Sequence, residues 1–212
     1  MLAIHSPYHV ARTSLESIAL QWPFDALLGE IGPATSIFIW GGPGAGKTTL
    51  AMDLLGTIAS LAGPVLFVSA EEGIGLSVQQ KIERLQLDAP YAPNYYILDS
   101  WDLDHLKTRV LVDGLRGVLL DTVSSVDTWA ARTTLAFLKW AKAHDVVFIF
   151  IAQARKSLDT HRGTRALALR SDVNIRCYLE KPDLGRKIAE VLKNPYAATP
   201  RRMDIRMNVD RR

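Results

Sequence analysis

Apolar positions along the chain cluster into short continuous runs, and longer stretches with a helical period separate them. The runs at 36–41, 64–70, 95–98, 117–121 and 146–152 are strand-sized, and they are too uniformly apolar to have one face in water. Between them the spacing predicts helices over 47–61, 74–87, 102–111 and 128–144, the first of them stopping before Gly63-Pro64. Strands buried on both faces, alternating with helices, predict an α/β fold with a mostly parallel central sheet flanked by helices.

After Gln153 the pattern changes. Residues 154–165 read as a polar, basic loop, followed by alternating segments at 173–180, 186–193 and 203–209. Turns at Pro182-Asp183-Leu184-Gly185 and Asn194-Pro195 join these segments, so C-terminal β-hairpins are expected. Residues 1–13 lack periodicity and read as an N-terminal arm. Ser14 is expected to cap a short helix running to Leu20, with Trp22-Pro23 ending it. Residues 14–212 then form one core.

Composition narrows the class. With 48% hydrophobic and 22% charged residues, the 212-residue chain reads as an ordinary soluble globular domain. No run is long enough to span a bilayer, so no membrane partner is expected. The first residues lack the charged and long apolar regions of a secretory leader, which makes the cytoplasm the expected compartment. Cys177 stands alone, which excludes an internal disulfide or a multi-cysteine zinc site. The net charge of +3 is unevenly placed. Residues 153–212 carry 15 Lys+Arg against 7 Asp+Glu, a balance of +8, whereas residues 1–152 carry 10 against 15, or −5. A basic C-terminal third can attract phosphate backbones; it can equally be a solvated face.

The chemistry begins at residues 41–48, Gly-Gly-Pro-Gly-Ala-Gly-Lys-Thr, a full match to the phosphate-loop pattern G-x-x-x-x-G-K-S/T. It follows a predicted strand and opens a predicted helix, the context in which the pattern cradles a nucleoside triphosphate. Backbone amides of Gly42, Pro43, Gly44, Ala45, Gly46, Lys47, Thr48 and Thr49 are the segment expected to wrap the phosphates, proline contributing shape rather than a donor. Lys47 would reach the β- and γ-phosphates, and Thr48 would hold Mg²⁺.

Asp121 ends the apolar run Val118-Leu119-Leu120, the place of a Walker B aspartate that holds Mg²⁺ directly or through water. Glu71-Glu72 follows the 64–70 strand. Either these acids cap the next helix, or Glu71 primes a water for attack on the γ-phosphate. Gln153, after the 146–152 strand, either caps the strand end or senses the γ-phosphate. Lys193, with Arg201 and Arg202 nearby, is either a surface cation or a finger supplied to a neighbouring subunit's nucleotide.

Phosphate loop, strand then Ser-Ala-Glu-Glu, strand then Asp, and strand then Gln stand in an order that resembles the RecA-like ATPase core, most closely its RadA/Sms, KaiC and DnaB-type branch. Phe24-Asp25-Ala26-Leu27-Leu28-Gly29, Lys81-Ile82-Glu83-Arg84-Leu85-Gln86-Leu87 and Val191-Leu192-Lys193-Asn194-Pro195-Tyr196 are similar to segments of that branch. The resemblance spans roughly residues 20–210. Pro195 stands where RadA/Sms has Arg, and neither its four-cysteine zinc finger nor its Lon-like domain occurs in these 212 residues.

The resemblance implies an ATP- and Mg²⁺-dependent hydrolase that forms a homo-oligomeric ring or filament, with nucleotide between subunits and Glu71 as the catalytic glutamate that polarises water. It implies action on single-stranded DNA in recombination, repair or replication. Arg155, Lys156, Arg162 and Arg165 would then face a central channel, as would the loop at Ser124 and Ser125. No aromatic residue occurs in 154–165, so DNA contact there would be electrostatic rather than stacked. The alternative is a KaiC-like regulatory ATPase that works through protein partners without DNA. A small-molecule kinase would need a lid, and no lid is recognisable.

Overall fold

The computed structural model describes residues 7, 16–88, 94–100, 102–123, 131–155, 165–181 and 185–205. Within these residues the helices are α1 (Phe24–Leu28), α2 (Lys47–Leu61), α3 (Leu76–Leu85), α4 (Leu103–Val112), α5 (Ala131–Ala143) and α6 (Arg165–Arg170). The strands are β1 (Ser36–Gly41), β2 (Val65–Ser69), β3 (Tyr95–Leu98), β4 (Gly117–Asp121), β5 (Val147–Gln153), β6 (Val173–Lys181), β7 (Arg186–Lys193) and β8 (Arg201–Asp204).

They form a single sheet in the order β3-β2-β4-β5-β1-β6-β7-β8. Pairing is parallel from β3 through β6, and antiparallel from β6 to β7 and from β7 to β8. The α/β class, the mostly parallel sheet and the C-terminal hairpins therefore stand as the pattern predicts.

The continuous apolar runs are explained by two cores, one on each face. Ile37, Ile39, Phe67, Ile149 and Ile151 point into a core shared with α1, α2 and α3. Their chain neighbours Phe38, Trp40, Val68, Phe148 and Phe150 point into another, shared with α4, α5 and α6. There Phe137 of α5 meets Phe148 edge to face, with 4.7 Å between ring centroids. A strand with alternate residues in two dry cores has no polar positions to spare.

Three expectations need correction. No helix runs to Leu20: Ile18 pairs with Ile31 in an antiparallel bridge, its amide donating to the Ile31 carbonyl at 2.7 Å. Ile18 is buried, Ala19 exposed and Leu20 buried, which is the strand period, and two apolar residues so spaced cannot both face a core from a helix. Ser14 lies outside the described residues. Trp22-Pro23, expected to end a helix, instead begins one, with Pro23 at the N-cap of α1. The 154–165 loop also ends in an unforeseen helix, α6, which buries Leu167 and Ala168. Within the expected 203–209 strand, β8 reaches Asp204, and 206–209 lie outside the described residues.

The start of β1 is fixed by a polar node. Asp172, in the turn before β6, accepts from the Ser36 amide at 3.0 Å and from its hydroxyl at 2.7 Å. Lys142 of α5 pairs with the other carboxylate oxygen at 3.2 Å. Burial pushes the Asp172 carboxyl up, but the two Ser36 bonds and Lys142 outweigh it and hold it below the ordinary carboxylate value. The node sets the register of the strand that delivers the phosphate loop.

Candidate active site

The C-terminal ends of β1, β2, β4 and β5 converge, and each carries one of the residues singled out above. From β1 the chain turns through 42–46 into α2, whose first residue is Lys47. Gly46, the residue before the helix, has φ +88°, and a Cβ there would lie 3.2 Å from Ile205. Gly44 has φ +70° and open space around it. Both positions favour glycine, and the lack of side chains leaves the loop amides and the first turn of α2 open to an anion. Gly41 is needed for a different reason. A Cβ there would fall 2.0 Å from the Cys177 carbonyl oxygen of the neighbouring β6.

Lys47 folds back over the loop and donates to the Gly42 carbonyl at 2.8 Å. Burial holds its amine below the ordinary lysine value, opposed by its electrostatic interactions with neighbouring Cys177, Asp121 and Glu71. Cys177 is buried and its thiol is pushed up to about 12, again by burial, which suits packing rather than reactivity.

Thr48 donates its hydroxyl to Asp121 Oδ2 at 2.7 Å, across 73 residues. Asp121 is only 8% exposed. Burial raises its pKa and the Glu71 carboxylate adds to the rise, while the Thr48 bond opposes it. A hydroxyl and a carboxylate side by side at a phosphate loop are the oxygen donors a hard cation such as Mg²⁺ takes, and a buried carboxylate raised by burial is one that a cation would relieve. The residues fit the ion.

Glu71 follows β2, which pairs with β4 so that Ser69 lies opposite Asp121. The amides of Ala70 and Glu71 both donate to the Asp121 carbonyl, at 2.9 and 3.3 Å. Gln153 ends β5 opposite Gly41, and its Nε2 donates to Glu71 Oε1 at 2.8 Å. Glu72 turns away, held by Lys81 and by the Ser77 hydroxyl. Burial raises the Glu72 carboxyl, but these partners outweigh it and hold it below the ordinary value. The adjacent acids thus do different jobs: Glu71 belongs to the cluster, and Glu72 braces the start of α3.

Other candidates sit elsewhere. Lys193 donates to the Leu169 and Ser171 carbonyls at the end of α6. Arg201 donates to the Ala26 carbonyl at 3.1 Å, and Arg202 pairs with Glu190. All three are engaged within their own chain. Arg155, two residues past β5, and Arg165, the first residue of α6, are exposed, while Lys156, Arg162, Ser124 and Ser125 lie outside the described residues.

Two residues near the loop escaped the sequence reading. Arg84 of α3 donates to the Thr49 hydroxyl at 3.4 Å. Lys187 of β7 lays its Cδ 3.3 Å from where a Gly46 Cβ would be. Lys187 was legible in principle, since the period of 2 puts it on the same face as buried Ala189 and Val191.

The strand order, the phosphate loop on β1, the acid after β2, the aspartate ending β4 and the amide ending β5 make one arrangement. A KaiC-like protein from the archaeon Pyrococcus horikoshii OT3 has the same fold, with a TM-score of 0.68 over 90% of this chain and 94% of that one, at 16% identity. The chain has a RecA-like P-loop fold. The RecA-like core is also 27% identical over 139 residues to the DNA repair protein RadA of Halalkalibacterium halodurans. That match takes in 60% of this chain and 30% of the RadA chain. No protein-family model matches the sequence.

Proposed function

We propose that the protein is a Mg²⁺-dependent ATP hydrolase that assembles with its own copies and acts on single-stranded DNA. The observation that carries hydrolysis is the convergence of Thr48, Asp121, Glu71 and Gln153 beside the phosphate loop.

A bound Mg²⁺ would neutralise charge on the β- and γ-phosphate oxygens, with Thr48 and Asp121 holding it. Lys47 would leave the Gly42 carbonyl for the phosphates. Glu71 takes a proton from the attacking water as its oxygen bonds to the γ-phosphorus, and the bond to the β-phosphate oxygen breaks. Gln153 holds the Glu71 carboxylate, and in this reading it would sense the γ-phosphate and pass its presence to the loop at 154–165. Lys193, Arg201 or Arg202 would serve a neighbour's nucleotide only after giving up the contacts described above.

Two facts support DNA: the +8 balance of residues 153–212 and the likeness to a relative named as a DNA repair protein. Arg155, Lys156, Arg162 and Arg165 are the contacts we assign. The fold shared with a KaiC-like protein leaves room for a second reading, a KaiC-like regulatory ATPase with protein partners and no DNA. Phosphate release from ATP, measured at low salt with and without single-stranded DNA, separates them. Stimulation supports the first reading. An unchanged rate, with no DNA bound, supports the second.

A further inference from the structure

Beyond Thr49 the candidate phosphate site opens into a cleft of about 220 Å³. Leu50, Met203 and Ile205 give it an apolar floor, Trp22 and Pro23 form one wall, and Asp53 and Asp204 line it with carboxylates. Trp22 is 75% exposed, the most exposed large hydrophobic residue among those described. A tryptophan left in water at the lip of an apolar cleft is unusual unless something covers it.

The cleft is continuous with the phosphate loop. Thr49 is the last residue of the expected phosphate cradle and also lines the cleft, while Ile205 touches both Gly46 and the cleft floor. A triphosphate held by 42–48 with its γ end toward Glu71 and Asp121 must send its nucleoside out past Thr49. The volume is below that of a drug-sized pocket and suits one flat heterocycle.

We infer that this cleft is the base-binding half of the nucleotide site and that Trp22 stacks on the base. The inference rests on the phosphate-site reading above. Trp22 gives a planar, apolar face without a hydrogen-bond code, so it contributes affinity for any nucleoside triphosphate over a bare polyphosphate. It also gives the segment before α1 a function: the Ile18–Ile31 bridge and α1 fix where Trp22 stands.

Calorimetric titration of the intact protein with Mg·ATP and with Mg·tripolyphosphate tests this. In Trp22→Ala the affinity for ATP falls about tenfold, the size of one aromatic–base stack, while that for tripolyphosphate stays within about twofold. Trp22→Phe recovers most of the loss. A Trp22→Ala variant that binds ATP as the wild type does overturns the inference, and so does one that loses both ligands equally, because Trp22 would then be structural. Wild-type protein that binds neither ligand overturns the phosphate-site reading itself, and the base site with it.

Discussion

Gln153 and Glu71, 82 residues apart in sequence, are joined by a 2.8 Å hydrogen bond from the carboxamide to the carboxylate. The bond spans the ends of two strands that are not neighbours, because β4 lies between β2 and β5. It therefore bridges over Asp121, whose carbonyl already holds the Glu71 amide. A residue held at its backbone amide and at its carboxylate is oriented before any substrate arrives.

Removing that hold leaves the acid present but loose. Gln153→Ala lowers kcat about 10–100-fold with little change in KM, as for other groups that orient a reacting residue. Glu72→Gln, which breaks only the brace to Lys81 and Ser77, leaves kcat within about threefold and costs about 1 kcal/mol of stability or less. Steady-state kinetics on both variants checks the division of labour. Equal losses would erase the distinction between the two acids.

Asp121 is a cost to the empty protein. Its folded pKa is raised by burial, so the stabilisation from its proton is present below about pH 4 and is lost as pH rises through the raised value. At neutral pH the carboxylate is charged and buried, and its attraction to Lys47 and Lys81 does not outweigh the cost of burial. Asp121→Asn keeps an acceptor for Thr48 without the charge. It raises the stability of the nucleotide-free protein by about 1 kcal/mol, or about 2–4 °C in melting temperature, while ending Mg²⁺-dependent turnover. Thermal melts at pH 7 without nucleotide are the check, and a lowered melting temperature would mean that Asp121 is already well paired.

The Asp172 node behaves in the opposite sense. Its folded pKa is depressed, so its stabilisation is present above about pH 4 and lost as pH falls through the folded value. Asp172→Ala removes two bonds to Ser36 and the pair with Lys142, at a cost of about 2 kcal/mol at pH 7. Denaturant melts of wild type and variant should differ at pH 7 and converge near pH 3. A constant gap across that range would remove the ionised carboxylate from the explanation.

If Arg155 and Arg165 each neutralise one phosphate, replacing both by alanine lowers the slope of log affinity against log salt by about 1.4 for single-stranded DNA. The loss should be similar for any base sequence, because both contacts are electrostatic. Fluorescence anisotropy at several salt concentrations checks this. An unchanged slope would take these arginines off the DNA path.

Much of this molecule was legible in the chain, and the misses share a cause. The strand ends at Gly41, Asp121 and Gln153 could be found because an apolar run stops at a polar or turn-forming residue, which is a local signal. The Thr48–Asp121 and Gln153–Glu71 contacts depend on strand order, which no local pattern encodes. The segment around Ile18 misled because a serine before a short apolar stretch reads as a helix cap, while the alternation of Ile18 and Leu20 about Ala19 is the strand period that its bridge to Ile31 uses. Local pattern did not separate Glu71 from Glu72, and only the family resemblance chose Glu71; in the structure Lys81, nine residues beyond Glu72, claims the Glu72 carboxylate. Arg84 and Lys187 come to the phosphate loop from other elements, so spacing from the motif could not identify them; the period of 2 in β7 gives the face of Lys187 but not its nearness to Gly46.

The central claim is that the ends of four strands build one ATP-hydrolysing site. Its most direct test is Glu71→Gln, assayed for Mg·ATP binding by calorimetry and for phosphate release in the same preparation, beside wild type and Lys47→Ala. The account predicts that Glu71→Gln binds ATP within about threefold of wild type but releases phosphate about 10²–10⁴-fold more slowly, and that Lys47→Ala loses turnover altogether. Phosphate release by Glu71→Gln at the wild-type rate, or undiminished turnover by Lys47→Ala, would contradict it.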